Sequence, residues 1–194
     1  MSNPEEVLRF WLDEVGPDGW YKQSDALDQA VKAQFSETLD GAASGRYSLW
    51  LTYPSGALAY IIVTDQFSRN MYRGTAQAFY TDRIALAAAK SAIDKGWDFK
   101  IDEPARQFFY LPMMHSENLC DQDRCVRLVH ERMPEHGANT LLHARAHRAV
   151  IRQFGRFPTR NGAMNRLPTG PEQDYVAQGG YGATLRSLQP SVAA

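Results

Sequence analysis

A chain of 194 residues, 44% hydrophobic and 22% charged, is long enough for one domain with a real core. A formal net charge of −1 argues against nucleic acid or an anionic membrane as partner, and no apolar run approaches the ~18 residues of a membrane span. The start "MSNPEEVLRFW" carries two acids and no basic segment ahead of its apolar residues, unlike a secretory signal. Two cysteines, Cys120 and Cys125, are too few for a disulfide framework, so the expectation is a cytoplasmic protein with reduced thiols.

Almost every element predicted along the chain is a helix. In "NPEEVLRFWLDE", Asn3 caps, Pro4 takes the first helical position and two acids fill the first turn. "GPDG" breaks that helix. Ser24 caps the next one, running to about residue 43 with Leu27, Val31, Phe35 and Leu39 at spacing four. "YPSG" is a turn. A third helix, residues 55–68, is apolar all round over 57–63 and should be buried. A fourth starts at Thr75 or Thr81 and ends at Gly96. A fifth covers "EPARQFFYLPMM", ended or kinked at Pro112. A sixth spans about 116–133, with both cysteines read as buried helix residues, and a seventh about 139–154, closed by Gly155. A short helix is expected near 171–178. No period-two alternation persists, so the fold class is all-α: antiparallel helix pairs, seven or eight helices, in one domain over 1–178. "GGYGATLRSLQPSVAA" reads as a loosely ordered tail over 179–194.

Charge is unevenly spread. Asp65 is the only acid between Asp40 and Asp82, and it continues the buried stripe of Ala57 and Ile61. Arg69 shares its helix face four residues on, with Asn70 and Arg73 following. Lysine stops at Lys100, and residues 136–171 hold six arginines and no acid. A guanidinium is a planar fork suited to carboxylates and phosphates. Those arginines need distant acids, with Asp65, Glu117 and Asp121 available, or an anionic ligand. Arg106 and Tyr110 share a face, and His147 lies on the apolar face of the seventh helix. His115 and Glu117 stand two residues apart, about 200° around a helix, so a regular helix cannot converge them on a metal. Neither a metal nor a cofactor is expected, and no nucleotide-binding, serine-hydrolase or zinc-protease motif occurs.

Four motifs occur in order: "VLRFW", "PSGALAYIIVTDQFSRNMYRGTAQAF", "RQFFYLPMMHSENLCDQD" and "HRAVIRQFGRFPTRN". Together they resemble an uncharacterised, largely bacterial family, domain of unknown function nine hundred and twenty-four, over about residues 4–178. The resemblance implies an all-α, tetratricopeptide-like arrangement and no known activity. It rests on Asp65, Gln66, Phe67, Arg69 and Asn70, on Leu111, Pro112, His115, Ser116 and Glu117, and on the run from Phe154 to Asn161. Thr159 departs from it, since the family commonly shows histidine there, and "NRLPTGPEQ" is looser than the usual pattern.

Three readings of these polar residues stand side by side. The leading one is a pocket for a small carboxylate or phosphate, with His115, Glu117 and Asp65 as candidates for proton transfer. Its walls would be Arg69, Asn70, Arg73, Arg106, Tyr110, His147, Arg152, Arg156, Arg160 and Asn161. A second is a helical module gripping an acidic or C-terminal peptide. A third is a buried network that specifies one packing of the helices.

Overall fold

The computed structural model describes residues 3–189. Eleven α-helical segments, joined by π and 3-10 turns, account for the fold, and no strand occurs among the described residues. The protein is all-α, with more helical segments than expected because three of them, Gly16–Gly19, Ser68–Met71 and Leu111–Met114, are four residues each. By internal contacts the chain divides into two compact units, Met1–Pro112 and Met113–Ala194.

In the first unit, α1 (Pro4–Leu8) begins at the expected cap: the Asn3 side chain accepts the Glu6 N–H at 2.8 Å, and Glu6 answers in a capping box. A π turn, Arg9–Val15, carries the chain to α2 (Gly16–Gly19), entered at Gly16 with φ +64. α3 (Asp25–Ala43), capped by Ser24, buries Val31, Phe35 and Leu39. α4 (Pro54–Ile61), a π turn (Ile62–Phe67) and α5 (Ser68–Met71) run on without a break. Every residue from 56 to 68 is buried, as the all-round apolar pattern requires. The expected single helix is thus widened at its polar end. The Thr81 hydroxyl donates to the Thr64 carbonyl at 2.5 Å, an extra partner for backbone at the π turn.

α6 (Asp82–Asp94) follows Thr81 and is closed at left-handed Gly96. The expected helix over 103–114 is instead a 3-10 turn (Ala105–Phe109) followed by α7 (Leu111–Met114). Pro112 occupies the second position of α7, where its missing N–H costs no helical bond, so the helix restarts there. Phe67 centres an aromatic core, 4.8 Å from Phe35 and 5.3 Å from Trp11, and Phe108 sits 4.8 Å from Trp20. Trp11, Trp20 and Trp50 are all buried.

In the second unit, α8 (Leu119–Arg132), capped by Asn118, packs on α9 (Ala138–Phe154), which ends at left-handed Gly155. Cys125 is buried, but Cys120, expected inside, is exposed. α10 (Gly170–Ala177) starts at a capping box of Thr169 and Glu172. The segment read as the start of a loose tail departs from that expectation: Gly180–Leu188 form α11, which packs on α9. Its glycines at 179, 180 and 182 read as helix breakers, yet two of them take the positive φ that turns the chain into the helix. Burial of Tyr181 against Val150, Ile151 and Phe157 outweighs the weak local propensity. The rest of the expected tail, 190–194, lies outside the described residues.

Candidate functional site

Asp65, Arg69, Asn70, Arg73, Arg106 and Tyr110 belong to the first unit; His115, Glu117, His147, Arg152, Arg156, Arg160 and Asn161 belong to the second. In the first unit, Asp65 is 1% exposed on the π turn. Its carboxylate accepts from Gln66 at 2.6 Å and pairs with Arg69 at 3.2 Å. Arg69 also donates to the Asp65 carbonyl and pairs with Asp82 at 2.8 Å. Burial works against the charge on Arg69, but the two carboxylates outweigh it and hold its pKa above the ordinary value. Arg73 forms a bidentate pair with Asp28 on α3, at 2.7 and 2.9 Å, and Asn70 donates to the same carboxylate at 2.7 Å. The Arg73 hydrogen bond is the main reason that the Asp28 pKa is lowered. Arg106 donates to the Ile101 carbonyl at 2.9 Å, and the Tyr110 hydroxyl donates to Asp98 at 2.6 Å, both residues of that pair being fully buried.

The second unit repeats this logic in part. Glu117 accepts both forks of Arg166, at 2.7 and 3.0 Å, and the Phe157 N–H at 2.8 Å. Burial opposes its charge, yet these donors prevail and its pKa is lowered. Glu172 accepts both forks of Arg156 together with the Thr169 N–H and Asn161. The Arg156 hydrogen bond, first among these, holds its carboxyl well below the usual range. Arg152 and Arg148 both reach Asp123, at 3.1 and 3.3 Å.

His115 is set differently. It lies in the non-helical link between α7 and α8. The Gln122 amide donates to the carbonyls of Met114 and Ser116 at 2.6 and 2.7 Å, and Arg160 donates to the His115 carbonyl at 2.9 Å. Three successive carbonyls are thereby tied down, which holds the His115 ring 6.2 Å from that of His147. Arg160 lies over the Phe157 ring at 4.5 Å, and Phe157 stands edge-on to His147 at 5.4 Å.

Among the described residues, His147 bonds through one ring nitrogen, Nδ1. Its Nδ1 lies 2.9 Å from the His143 carbonyl and 3.1 Å from the Tyr181 hydroxyl. A carbonyl can only accept, so Nδ1 carries the proton and Nε2 keeps its lone pair. Tyr181 in turn lies 2.6 Å from His143 Nδ1, to which its hydroxyl can donate. Among the described residues no hydrogen bond reaches His147 Nε2. Burial, with the nearby His115, pushes the His147 pKa down to about 3, so the ring is neutral at physiological pH.

Sequence reasoning had no means to name several of these partners. Asp28 and Asp82 carry no local signal of a distant arginine; Arg166 is one of six arginines in an acid-free stretch; Glu172 falls in the short helix expected near 171–178. The spacing of His143 and His147, one helical turn apart, was a signal that could have been used. Tyr181 offered none, because it lay in the segment read as tail. No group of three or more His, Cys, Asp or Glu side chains suited to a metal occurs among the described residues, and no helix among them is long and apolar enough to cross a membrane.

The fold and these clusters define a class: an all-α protein whose family-like motifs form ion-paired networks, with one histidine-centred cluster in its second unit. The chain belongs to the family described as "Bacterial protein of unknown function (DUF924)", whose pattern matches residues 7–180. It is similar in structure to a protein of unknown function, ATU0120, from Agrobacterium tumefaciens, at 36% identity with a TM-score of 0.85, covering 91% of this chain and 97% of that one. No curated protein matches the chain significantly.

Proposed function

We propose that this is a soluble cytoplasmic protein that binds a small oxyanion still carrying a proton donor, such as hydrogen phosphate or a hydroxy acid, at the His115–His147–Arg160 cluster of its second unit. The observation that carries the reading is the His147 ring, which is bonded through Nδ1 and keeps an unprotonated Nε2, with the Arg160 charge near enough to help lower its pKa. A lone pair near a guanidinium suits a ligand with one donor and one negative oxygen. The reading assigns the ligand to His115, His147 and Arg160, with His147 Nε2 as the accepting atom. Asp65, Glu117, Arg69, Arg73 and Arg156 are spent on one another or on Asp82, Asp28, Arg166 and Glu172, and serve packing. An imidazole held at a pKa of about 3 accepts a hydrogen bond but is a weak general base, so the reading is binding rather than proton transfer by His147.

The test is a titration with inorganic phosphate, glycolate and acetate, following the His147 and His115 ring resonances, in the parent and in His147→Gln. Saturable shifts with phosphate and with glycolate, weaker with acetate and lost in the variant, are expected. No saturable shift, or acetate matching glycolate, refutes the proposal. A second reading is favoured by the closed Asp65–Arg69–Asp82 and Glu117–Arg166 pairs: the family motifs specify helix packing and carry no ligand. The tetratricopeptide-like arrangement enters here too. The packing of α8 on α9 across a short link supports a helix pair of that kind.

A further inference from the structure

One cavity in the first unit takes no part in these networks. It measures about 290 Å³ and opens between α6, α4 and the 3-10 turn Trp97–Lys100. Ile84, Ala88 and Ser91 line it from one face of α6, at spacings of four and three, with Leu51 and Tyr60 across from them and Trp97 at the end. The space exists because this face carries alanine and serine where large side chains would fill it. An apolar cavity of about 150 Å³ accepts benzene, so this one has room for a ring and a short substituent.

Its polar groups are few and directional. The Tyr60 hydroxyl donates to the Ala42 carbonyl at 3.2 Å, so Tyr60 presents its ring. The Ser91 hydroxyl and the Trp97 indole N–H have no protein acceptor among the described residues. The Lys95 ammonium lies 4.2 Å over the Trp97 ring, which brings a positive charge to that end. Ser91 and Trp97 each bring a donor to the lining, and Lys95, just outside it, brings a cation to the Trp97 ring; together they suit a carboxylate with an apolar body.

We propose that this cavity binds a small amphipathic carboxylate of the arylacetate kind, its ring against Leu51, Ile84 and Ala88 and its carboxylate toward Ser91, Trp97 and Lys95. This site lies in the first unit and is independent of the histidine cluster in the second. The experiment titrates the full chain with phenylacetate, 2-phenylethanol and 2-phenylethylamine, three probes that share a ring and differ in charge. The readout is the Trp97 indole N–H resonance, assigned with Trp97→Phe. Phenylacetate should shift it saturably, the alcohol more weakly, and the amine about tenfold more weakly or not at all. Ser91→Trp fills the cavity from an exposed position and should abolish the shift while leaving the thermal midpoint near that of the parent. Lys95→Gln should weaken phenylacetate by about threefold, as expected for an exposed charge. The proposal is overturned if no probe gives a saturable shift, if alcohol or amine binds as tightly as phenylacetate, or if binding survives in Ser91→Trp.

Discussion

The His147 ring makes a sharp prediction about acid stability. Burial pushes its pKa from 6.5 down to about 3, so the folded protein refuses a proton that the unfolded chain accepts. The unfolded state therefore binds more protons below pH 6.5, and stability must fall as pH falls from there toward 3. Between pH 7.5 and pH 5.0 the linkage relation assigns about 2 kcal/mol of lost stability to this one ring. The carboxylates with lowered pKa, Asp28, Glu117 and Glu172, do not interfere: their contribution is present above the usual carboxylate range and is lost only below about pH 4.5. His143, also lowered by burial, adds loss of the same sign in any protein that retains it. The informative comparison is thus parent against His147→Gln, whose amide can still donate to the His143 carbonyl. Urea unfolding of both at pH 7.5, 6.5, 5.5 and 5.0 should give a parent curve that steepens downward, with the variant losing about 2 kcal/mol less over the range. Parallel curves, or a His147 resonance that titrates near pH 6.5, would refute the argument that burial keeps the ring neutral.

Three further outcomes follow from the packing. Asp65→Asn breaks a buried ion pair and should cost about 3 kcal/mol in chemical denaturation, leaving Arg69 with Asp82 and the backbone carbonyl of residue 65; a loss under about 1 kcal/mol would mean that the Asp65 carboxylate is not part of the packing network. Gly56→Ala should destabilise by about 1–3 kcal/mol, because a β-carbon there meets the Trp50 carbonyl and the Tyr53 ring; an unchanged thermal midpoint would contradict that close approach. Tyr181→Phe removes the hydroxyl shared by His143 and His147 and should cost about 1 kcal/mol, with faster hydrogen exchange in α11; unchanged exchange there would show that the hydroxyl does not hold that helix to α9.

Much of the helical framework was legible in the chain because its signals are local. The Asn3 and Ser24 caps, the closing glycines at 96 and 155, and the apolar run ahead of Asp65 each act within about one turn of helix. The exceptions are local patterns that tertiary packing overrode. Residues 103–114 look like one helix, but the chain breaks at Tyr110, whose hydroxyl is committed to Asp98. Residues 180–188 look too rich in glycine for a helix, but Tyr181 gains a buried surface that only the folded α9 provides.

The polar residues divide along the same line. Sequence spacing alone determined that Asp65 and Arg69 share a helix face, and the two do pair. It also determined that the arginines after residue 136 have no acid near them in sequence and need distant acids or an anionic ligand. Which acids answer was decided by tertiary structure: Asp28 takes Arg73 across 45 residues, and Glu117 takes Arg166 across 49. Side-chain spacing on a helix is set by backbone geometry that every residue shares. The partner of a guanidinium is set by which distant carboxylate burial brings within about 3 Å, and no local pattern encodes that distance.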